Sequence, residues 1–293
     1  MANRKSFDGW TALVTGGAGG LGRAIARVLV ERGIRCLLVD IDAARLETAV
    51  KSLGPMALPF VADLTDECAM QALVEHVKSR FGRLDLLVNN AGIISNTPFE
   101  IRPMPTILHE VSLNMLAPIA ITQALLPLLR CAADGRVITI VSLGGIFPMP
   151  ETCVYSATKF GLRGAMLCLG LDGPRLGVKL TIVNPSATET PMLMREAIED
   201  GNKMQFMDPP QMPEDVARTV LRALDKPSIE CFVRPSESWS ARLAMLMPNI
   251  LPKVIPLFRR KSEAGHRRYL TSLESRGLIR RHGEGWQLNL PER

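Results

Sequence analysis

The sequence predicts an α/β domain built on a doubly wound parallel sheet, followed by an apolar and basic C-terminal extension. Three observations predict it. Short aliphatic and β-branched runs recur about every 25 residues, at 11–15, 36–39, 58–61, 84–88, 137–141 and 180–183. Between them lie helix-length stretches with apolar residues on one face, such as Leu21, Ile25, Val28 and Leu29, or Met70, Leu73, Val74, Val77 and Phe81. No repeat or low-complexity linker interrupts residues 1–230. Strands apolar on both faces and joined by helix-length crossovers imply a parallel sheet covered on both sides, and right-handed crossovers make it doubly wound.

Composition bounds the rest. A chain of 293 residues with 47% hydrophobic and 22% charged residues is ordinary globular material that buries its core without cross-links. The six cysteines include no CxxC pair and the four histidines do not cluster, so neither a disulfide framework nor a metal site is expected, and a reducing, cytoplasmic setting is. The opening MANRKSFDGW has no apolar core of a secretory leader, and no stretch of about 18 uninterrupted apolar residues occurs. Residues 1–230 carry 23 Lys+Arg against 24 Asp+Glu, whereas 231–293 carry 12 against 5. The basic excess therefore sits in the tail, unlike the even spread of a nucleic-acid binder.

Taking the elements in order, the first strand runs into Thr15-Gly16-Gly17-Ala18-Gly19-Gly20-Leu21-Gly22 and then a helix. Glycine permits positive φ in such a turn and lets a pyrophosphate approach the backbone, while the helix aims free N–H groups at the anion. Strand, glycine turn and helix together predict a dinucleotide site. Asp40 ends the second strand, 18 residues after Gly22, where a carboxylate accepts hydrogen bonds from both adenosine ribose hydroxyls. It would repel a 2′-phosphate, and neither Gly19 nor Ile41 supplies an offsetting cation, so NAD is expected over NADP.

From here the pattern resembles the short-chain dehydrogenase/reductase (SDR) family over about residues 8–235, with a Rossmann-type fold. Its TGxxxGxG signature matches Thr15, Gly16, Gly20 and Gly22. Asn89-Asn90-Ala91-Gly92, Ser142 and Tyr155-Ser156-Ala157-Thr158-Lys159 follow in the family's order, and Asn114 stands where the family carries a catalytic asparagine. The resemblance implies that Asp63 and Leu64 contact adenine, and that Asn90, Ala91 and Gly92 pass along the ribose and nicotinamide side. It also implies that Asn114 supports Lys159 through a water. Beyond the sixth strand the family expects Pro-Gly and then a threonine; here Pro185-Ser186-Ala187-Thr188-Glu189-Thr190 stands instead. Thr188 and Thr190 can hold the carboxamide, but a positive φ at Ser186 would cost about 1 kcal/mol and shift the loop.

The chemistry follows from residue types. A free phenol, with a pKa of about 10, is a poor base. A neighbouring ammonium and a positive nicotinamide ring would lower that value. The i, i+4 spacing puts Tyr155 and Lys159 on one helical face, and Ser142 at a strand's carboxyl end can hold a substrate oxygen. Cys153 and Cys168 read as buried structural thiols, and His109, beside Glu110, as a surface residue.

The loops containing Ile93-Ile94-Ser95-Asn96, 145–150 and 191–194 are apolar with no evident arginine clamp, which suits a lipophilic alcohol or ketone: a steroid, a long-chain or an aryl carbinol. Residues 186–212 read as a lid. The rivals are a 3-oxoacyl or sugar ketone reductase of the same fold and a dinucleotide-sensing scaffold without turnover. The chain divides into a catalytic domain, 1–235, and an extension, 236–293. Pro248, Pro252 and Pro256 break the apolar run 243–258 and argue against a spanning helix. Two readings stay open for it: a patch resting on anionic lipid, or a cap over the pocket or an oligomer contact. Residues 269–293 suggest a helix, a turn and a short strand. The apolar helices around 115–129 and 160–171 imply a homodimer or homotetramer, since the family packs both into a four-helix bundle.

Overall fold

A computed structural model describes residues 6–199, 201–283 and 285–289. The first residues of the opening segment, and the outer ends of the two expected units, lie outside them. The predicted strands appear as β1 (Thr11–Thr15), β2 (Arg35–Asp40), β3 (Ala57–Val61), β4 (Leu86–Asn89), β5 (Arg136–Ile140) and β6 (Lys179–Asn184). A seventh, β7 (Glu230–Phe232), extends the sheet beyond the sequence expectation. All seven are parallel in the order β3-β2-β1-β4-β5-β6-β7, the doubly wound arrangement whose order reverses between β1 and β4.

Two core layers sandwich the sheet. Helix α1 (Gly20–Val30) and α2 (Ala43–Leu53) follow β1 and β2, and α3 (Glu67–Phe81) follows β3. Asp66 starts α3 because its carboxylate accepts from the amides of Cys68 and Ala69. Helix α4 (Met104–Val111) continues through a π turn, Ser112–Leu116, into α5 (Ala117–Arg130). This run, Met104–Arg130, is long and apolar enough by length and composition to cross a membrane. Ile121, Leu125 and Leu129 are nevertheless buried against the sheet, in one core with Leu73, Val77, Leu162 and Met166. After β5 come α6 (Cys153–Leu171) and the short α7 (Gly173–Leu176); after β6 come α8 (Pro191–Ile198) and α9 (Pro213–Asp225). Ile25 and Leu29 of α1 meet Val216, Val220 and Leu224 of α9 on the other face of the sheet. Each such buried aliphatic side chain contributes roughly 1.5–3 kcal/mol of transfer free energy.

The extension folds onto the body. It comprises α10 (Pro235–Met245), α11 (Leu251–Val254), α12 (Arg259–Ser275) and an antiparallel hairpin, β8 (Ile279–His282) with β9 (Gly285–Leu288). The expected helix and turn are present, but two strands replace one. Helix α12 clamps the lid: Tyr269 stacks on Phe206 at 5.2 Å, and His266 Nε2 lies 2.8 Å from the Ala197 carbonyl. Leu193, Met194, Ala197, Phe206, Tyr269, Leu273 and Ile279 form a third core shared by lid and extension. Gly265 permits that approach, since a Cβ there would fall 1.8 Å from the Phe206 carbonyl oxygen.

Two expectations fail. Cys153 and Cys168 are exposed rather than buried, because they lie on the outer side of α6; Cys36 of β2 is buried, and all six thiols are free. Ser186 also causes no strain: among described non-glycine residues only Glu151 has positive φ, so serine serves at that position without left-handed backbone.

Candidate active site

The carboxyl ends of the strands open into one cavity of about 900 Å³. At its β1 end, Gly16 takes φ +64°, and a Cβ on it would meet the Ala91 Cα at 2.9 Å. Gly22 sits still closer to the turn, where a Cβ would lie 2.1 Å from the Gly16 carbonyl oxygen. No side chain caps α1, so the first amides of that helix remain available to an anion. The Asn90 amide group braces the bend by donating to the Thr15 and Gly16 carbonyls, and the Thr15 hydroxyl accepts from the amides of Asn90 and Ala91. Asp40 accepts from the Ala18 and Asp42 amides, which fixes its carboxylate at the rim. Asp63 is held below the usual carboxylate range, chiefly by the amide and hydroxyl of Thr65.

Every predicted site residue except Asn114 lines this cavity: Gly16, Gly20, Leu21, Gly22, Asp40, Asp63 and Leu64 at one end; Asn90, Ala91, Gly92, Ser142, Tyr155, Lys159, Pro185, Thr188 and Thr190 toward the other. Asn114, fully buried in the π turn, lies behind the wall. Its Oδ1 accepts from the Ile93 amide at 2.8 Å, and its Nδ2 donates to the Ile93 carbonyl at 2.8 Å and the Thr158 hydroxyl at 3.3 Å. The observed contacts are therefore to the loop after β4, where sequence reasoning expected support of Lys159. The two are close even so, because a Cβ on Gly92 would lie 3.2 Å from Asn114 Oδ1 and 3.6 Å from Lys159 Nζ.

Ser142 follows β5 with its Oγ accepting from the Gly144 amide at 3.0 Å, so the hydroxyl proton is left to donate elsewhere. It faces the Tyr155 phenol closely enough to favour the phenolate, yet burial dominates and pushes that phenol up to about 12. Lys159 Nζ lies 5.7 Å from the Tyr155 ring centre and 3.4 Å from the Ile140 carbonyl, and burial lowers its pKa to about 8. The chain's own residues thus raise the phenol's pKa; the lowering expected from the sequence rested on a neighbouring ammonium together with a bound nicotinamide ring. Desolvation, aided by the Glu196 and Glu110 carboxylates, outweighs the Ser142 hydrogen bond.

Two buried acids escaped the sequence reading. Glu110, taken only as the neighbour of exposed His109, is fully buried and paired with Arg102 at 3.2 Å. Arg102 also donates to the Ser95 and Thr97 carbonyls, so the pair holds the loop that walls the pocket. Glu196 of α8 lines the cavity, accepts from Gln205 Nε2 at 3.0 Å, and is pushed up to about 7 by burial. Charged residues inside a lid have no local periodicity to reveal them. Leu251, Val254, Ile255 and Phe258 of the extension also line the cavity.

Glu196 yields a pH prediction. Its folded pKa stands above the ordinary 4.5, so the stability tied to its neutral form is present in acid and lost as pH rises through about 7. Glu196→Gln keeps the acceptor for Gln205 and removes that loss. The variant should be more stable than the parent by about 2 kcal/mol near pH 8, the gap closing toward pH 5. Urea midpoints at the two pH values check this, and a gap that does not vary with pH would refute it.

A glycine turn before an uncapped helix, a strand-end carboxylate and a Ser-Tyr-Lys cluster share one cleft of a doubly wound fold, the arrangement of a nicotinamide-dependent oxidoreductase. The chain belongs to the short-chain dehydrogenase family, whose profile matches residues 10–200. It is 30% identical over 239 residues to dehydrogenase/reductase SDR family member 7B of Xenopus laevis, covering 75% of this chain and 72% of that one. Among solved structures it is similar to a 3-ketoacyl-(acyl-carrier-protein) reductase from Brucella melitensis complexed with NADH (26% identity, TM-score 0.68, 78% of this chain and 99% of that one). Levodione reductase is also similar, at 26% identity and TM-score 0.72, covering 79% of this chain and 98% of that one.

Proposed function

We propose that the protein is an NAD(H)-dependent oxidoreductase that interconverts a lipophilic secondary alcohol and its ketone, with Tyr155 as general acid/base. The observation that carries this reading is the convergence of Tyr155, Ser142 and Lys159 in the cavity that also holds the glycine turn and Asp40. The residues fit the cofactor: Gly16, Gly20, Leu21 and Gly22 would hold its pyrophosphate, Asp40 its adenosine ribose, Asp63 and Leu64 its adenine. Asn90, Ala91, Gly92, Lys159, Pro185, Thr188 and Thr190 would hold the nicotinamide half. When bound, the cofactor supplies hydride transfer. Ser142 donates to the substrate oxygen, while Tyr155 gives that oxygen a proton in ketone reduction and takes it back in alcohol oxidation. Lys159 favours the phenolate whenever it carries its charge, and Asn114 positions the Ile93 loop against it.

The lipophilic substrate is supported by Ile93, Phe147, Met149, Met192 and Leu193 in the cavity wall, with the cap's aliphatic residues beyond them. Exposed Leu116, closing the π turn before α5, and exposed Leu171, at the end of α6, support a homodimer or homotetramer. Nicotinamide absorbance over steroids, aryl carbinols and fatty alcohols, against 3-oxoacyl and sugar ketones, tests the substrate class. Turnover confined to the second group would replace the lipophilic reading, and cofactor binding without any turnover would favour the sensor. Asp40→Ala should bring NADP within about tenfold of NAD in kcat/KM, because one repulsive charge at the 2′ position is worth about 1–2 kcal/mol. An unchanged preference would remove Asp40 from the ribose.

A further inference from the structure

The outer surface of the cap is apolar where a water-facing surface would be polar. On and just beyond α10, Trp239, Leu243, Leu246 and Met247 recur at i, i+4, i+7 and i+8, one face of the helix. They are 74%, 61%, 75% and 55% exposed, and Ile250 and Leu257 continue the surface at 41% and 77%. A different face of the same helix, Glu237, Ser240, Ala241 and Ala244, lines the cavity. The cap is therefore a thin wall between the pocket and an exposed hydrophobic surface. Such a surface marks an interaction site.

Charge selects the partner. Between residues 235 and 261 stand Arg242, Lys253, Arg259, Arg260 and Lys261 against the single acid Glu237. Arg242, Arg259 and Lys261 are paired with Glu230, Glu263 and Asp208. Lys253 and Arg260 are exposed and have no ion-pair partner among the described residues. Apolar side chains flanked by unpaired cations, with an exposed tryptophan, match the acyl-to-headgroup boundary of an anionic bilayer. A second copy fits less well, since a two-fold contact through this face would bring the exposed Lys253 and Arg260 of both copies into one interface with only Glu237 between residues 235 and 261 to offset them. Crossing the bilayer does not fit either: α10 and the helical run after it are bent by 89°, and Ser262, His266, Tyr269 and Leu273 of α12 are buried in the body.

We propose that the outer face of the cap docks on an anionic lipid surface, so that the pocket wall formed by α10 and α11 rests against the bilayer. A lipophilic substrate then partitions from lipid into the cavity through the cap. Docking stands without the substrate assignment, whereas this route of delivery rests on it.

Flotation of the full chain with vesicles of phosphatidylcholine alone, or mixed with phosphatidylglycerol, tests the docking without any turnover. The chain should float with mixed vesicles and show a blue-shifted Trp239 emission, lost in Trp239→Phe. The combined variant Trp239→Ser, Leu246→Ser, Leu257→Ser should lose at least about tenfold in bound fraction. Lys253→Glu with Arg260→Glu should lose about tenfold on mixed vesicles and little on neutral ones. NADH fluorescence titration, unchanged in every variant, shows that the body is intact. Absence of flotation, or equal flotation of parent and triple variant, overturns the proposal. So does a dimer in sedimentation that the triple variant dissociates while neither protein floats, which would make the face a self-contact. Flotation as expected, with lipophilic alcohols all inert, would remove only the substrate reading.

Discussion

Tyr155→Phe should reduce turnover by about 10³-fold while leaving NADH binding within about twofold of the parent, because only a proton-transfer group is removed. The ring keeps its place beside Gly144, where a Cβ would approach the Tyr155 Cε1 to 3.2 Å, so the variant preserves the packing. The pH profile carries the same claim with a sign. Burial pushes the phenol up to about 12, so proton donation is available across the neutral range and ketone reduction should be flat there. Alcohol oxidation needs the phenolate, and its kcat/KM should rise with pH. Lys159, lowered to about 8, supports the phenolate only while protonated, so the rise should flatten above that value. Stopped-flow reduction and oxidation across pH check both limbs. Activity within tenfold of the parent in the phenylalanine variant would sink the assignment.

Legibility followed the range of the interactions. Five of the six predicted strands were readable because a parallel strand buried on both faces is apolar throughout, a local signal; edge strand β3, with Val61 exposed, was readable from its aliphatic run. Strand β7 was not, because Glu230 opens it, and that carboxylate is held by Arg163 at 2.6 Å, Asn184 at 2.9 Å and Arg242 from α10. The glycine turn and the Tyr155–Lys159 pair were readable because their geometry lies within a few residues of chain. Asn114 was found from a resemblance, but its partner Ile93 depends on how the π turn faces the β4 loop. Glu110 and Glu196 were missed because nothing near them in sequence predicts burial of a carboxylate. Cys153 and Cys168 were misjudged for the converse reason: apolar neighbours on α6 suggested burial, and the helix presents those two thiols outward.

The second tyrosine shows why residue type alone does not assign chemistry. Tyr269 is also buried and also raised above its ordinary value, chiefly by desolvation. It stacks on Phe206 between residues 186–212 and the extension, and its buried hydroxyl has no hydrogen-bond partner among the described residues. One phenol thus stands with Ser142 and Lys159 in the cavity, and the other is a packing disc that ties the extension to residues 186–212.

Gly22→Ala should cost about 3 kcal/mol of cofactor affinity, a weakening of about a hundredfold in Kd for NADH. The Cβ would sit 2.1 Å from the Gly16 carbonyl oxygen and 3.0 Å from Asn90 Nδ2, both parts of the turn itself. That carbonyl already accepts from the Gly19 and Asn90 N–H groups, so the turn cannot rotate aside without breaking them. Relief must come from α1 sliding away from the bend, which withdraws the uncapped amides from the phosphate position. The slide also disturbs the contact of Ile25 and Leu29 with α9, so unfolding temperature should fall by several degrees. Gly54→Ala separates this from a general glycine effect: φ is +81° there but no atom lies within 4 Å of the added Cβ, so stability should drop by about 1 kcal/mol with NADH affinity unchanged. Isothermal titration of the parent and both variants reads the difference. Parental affinity in Gly22→Ala would mean that the anion is held somewhere other than the turn between β1 and α1.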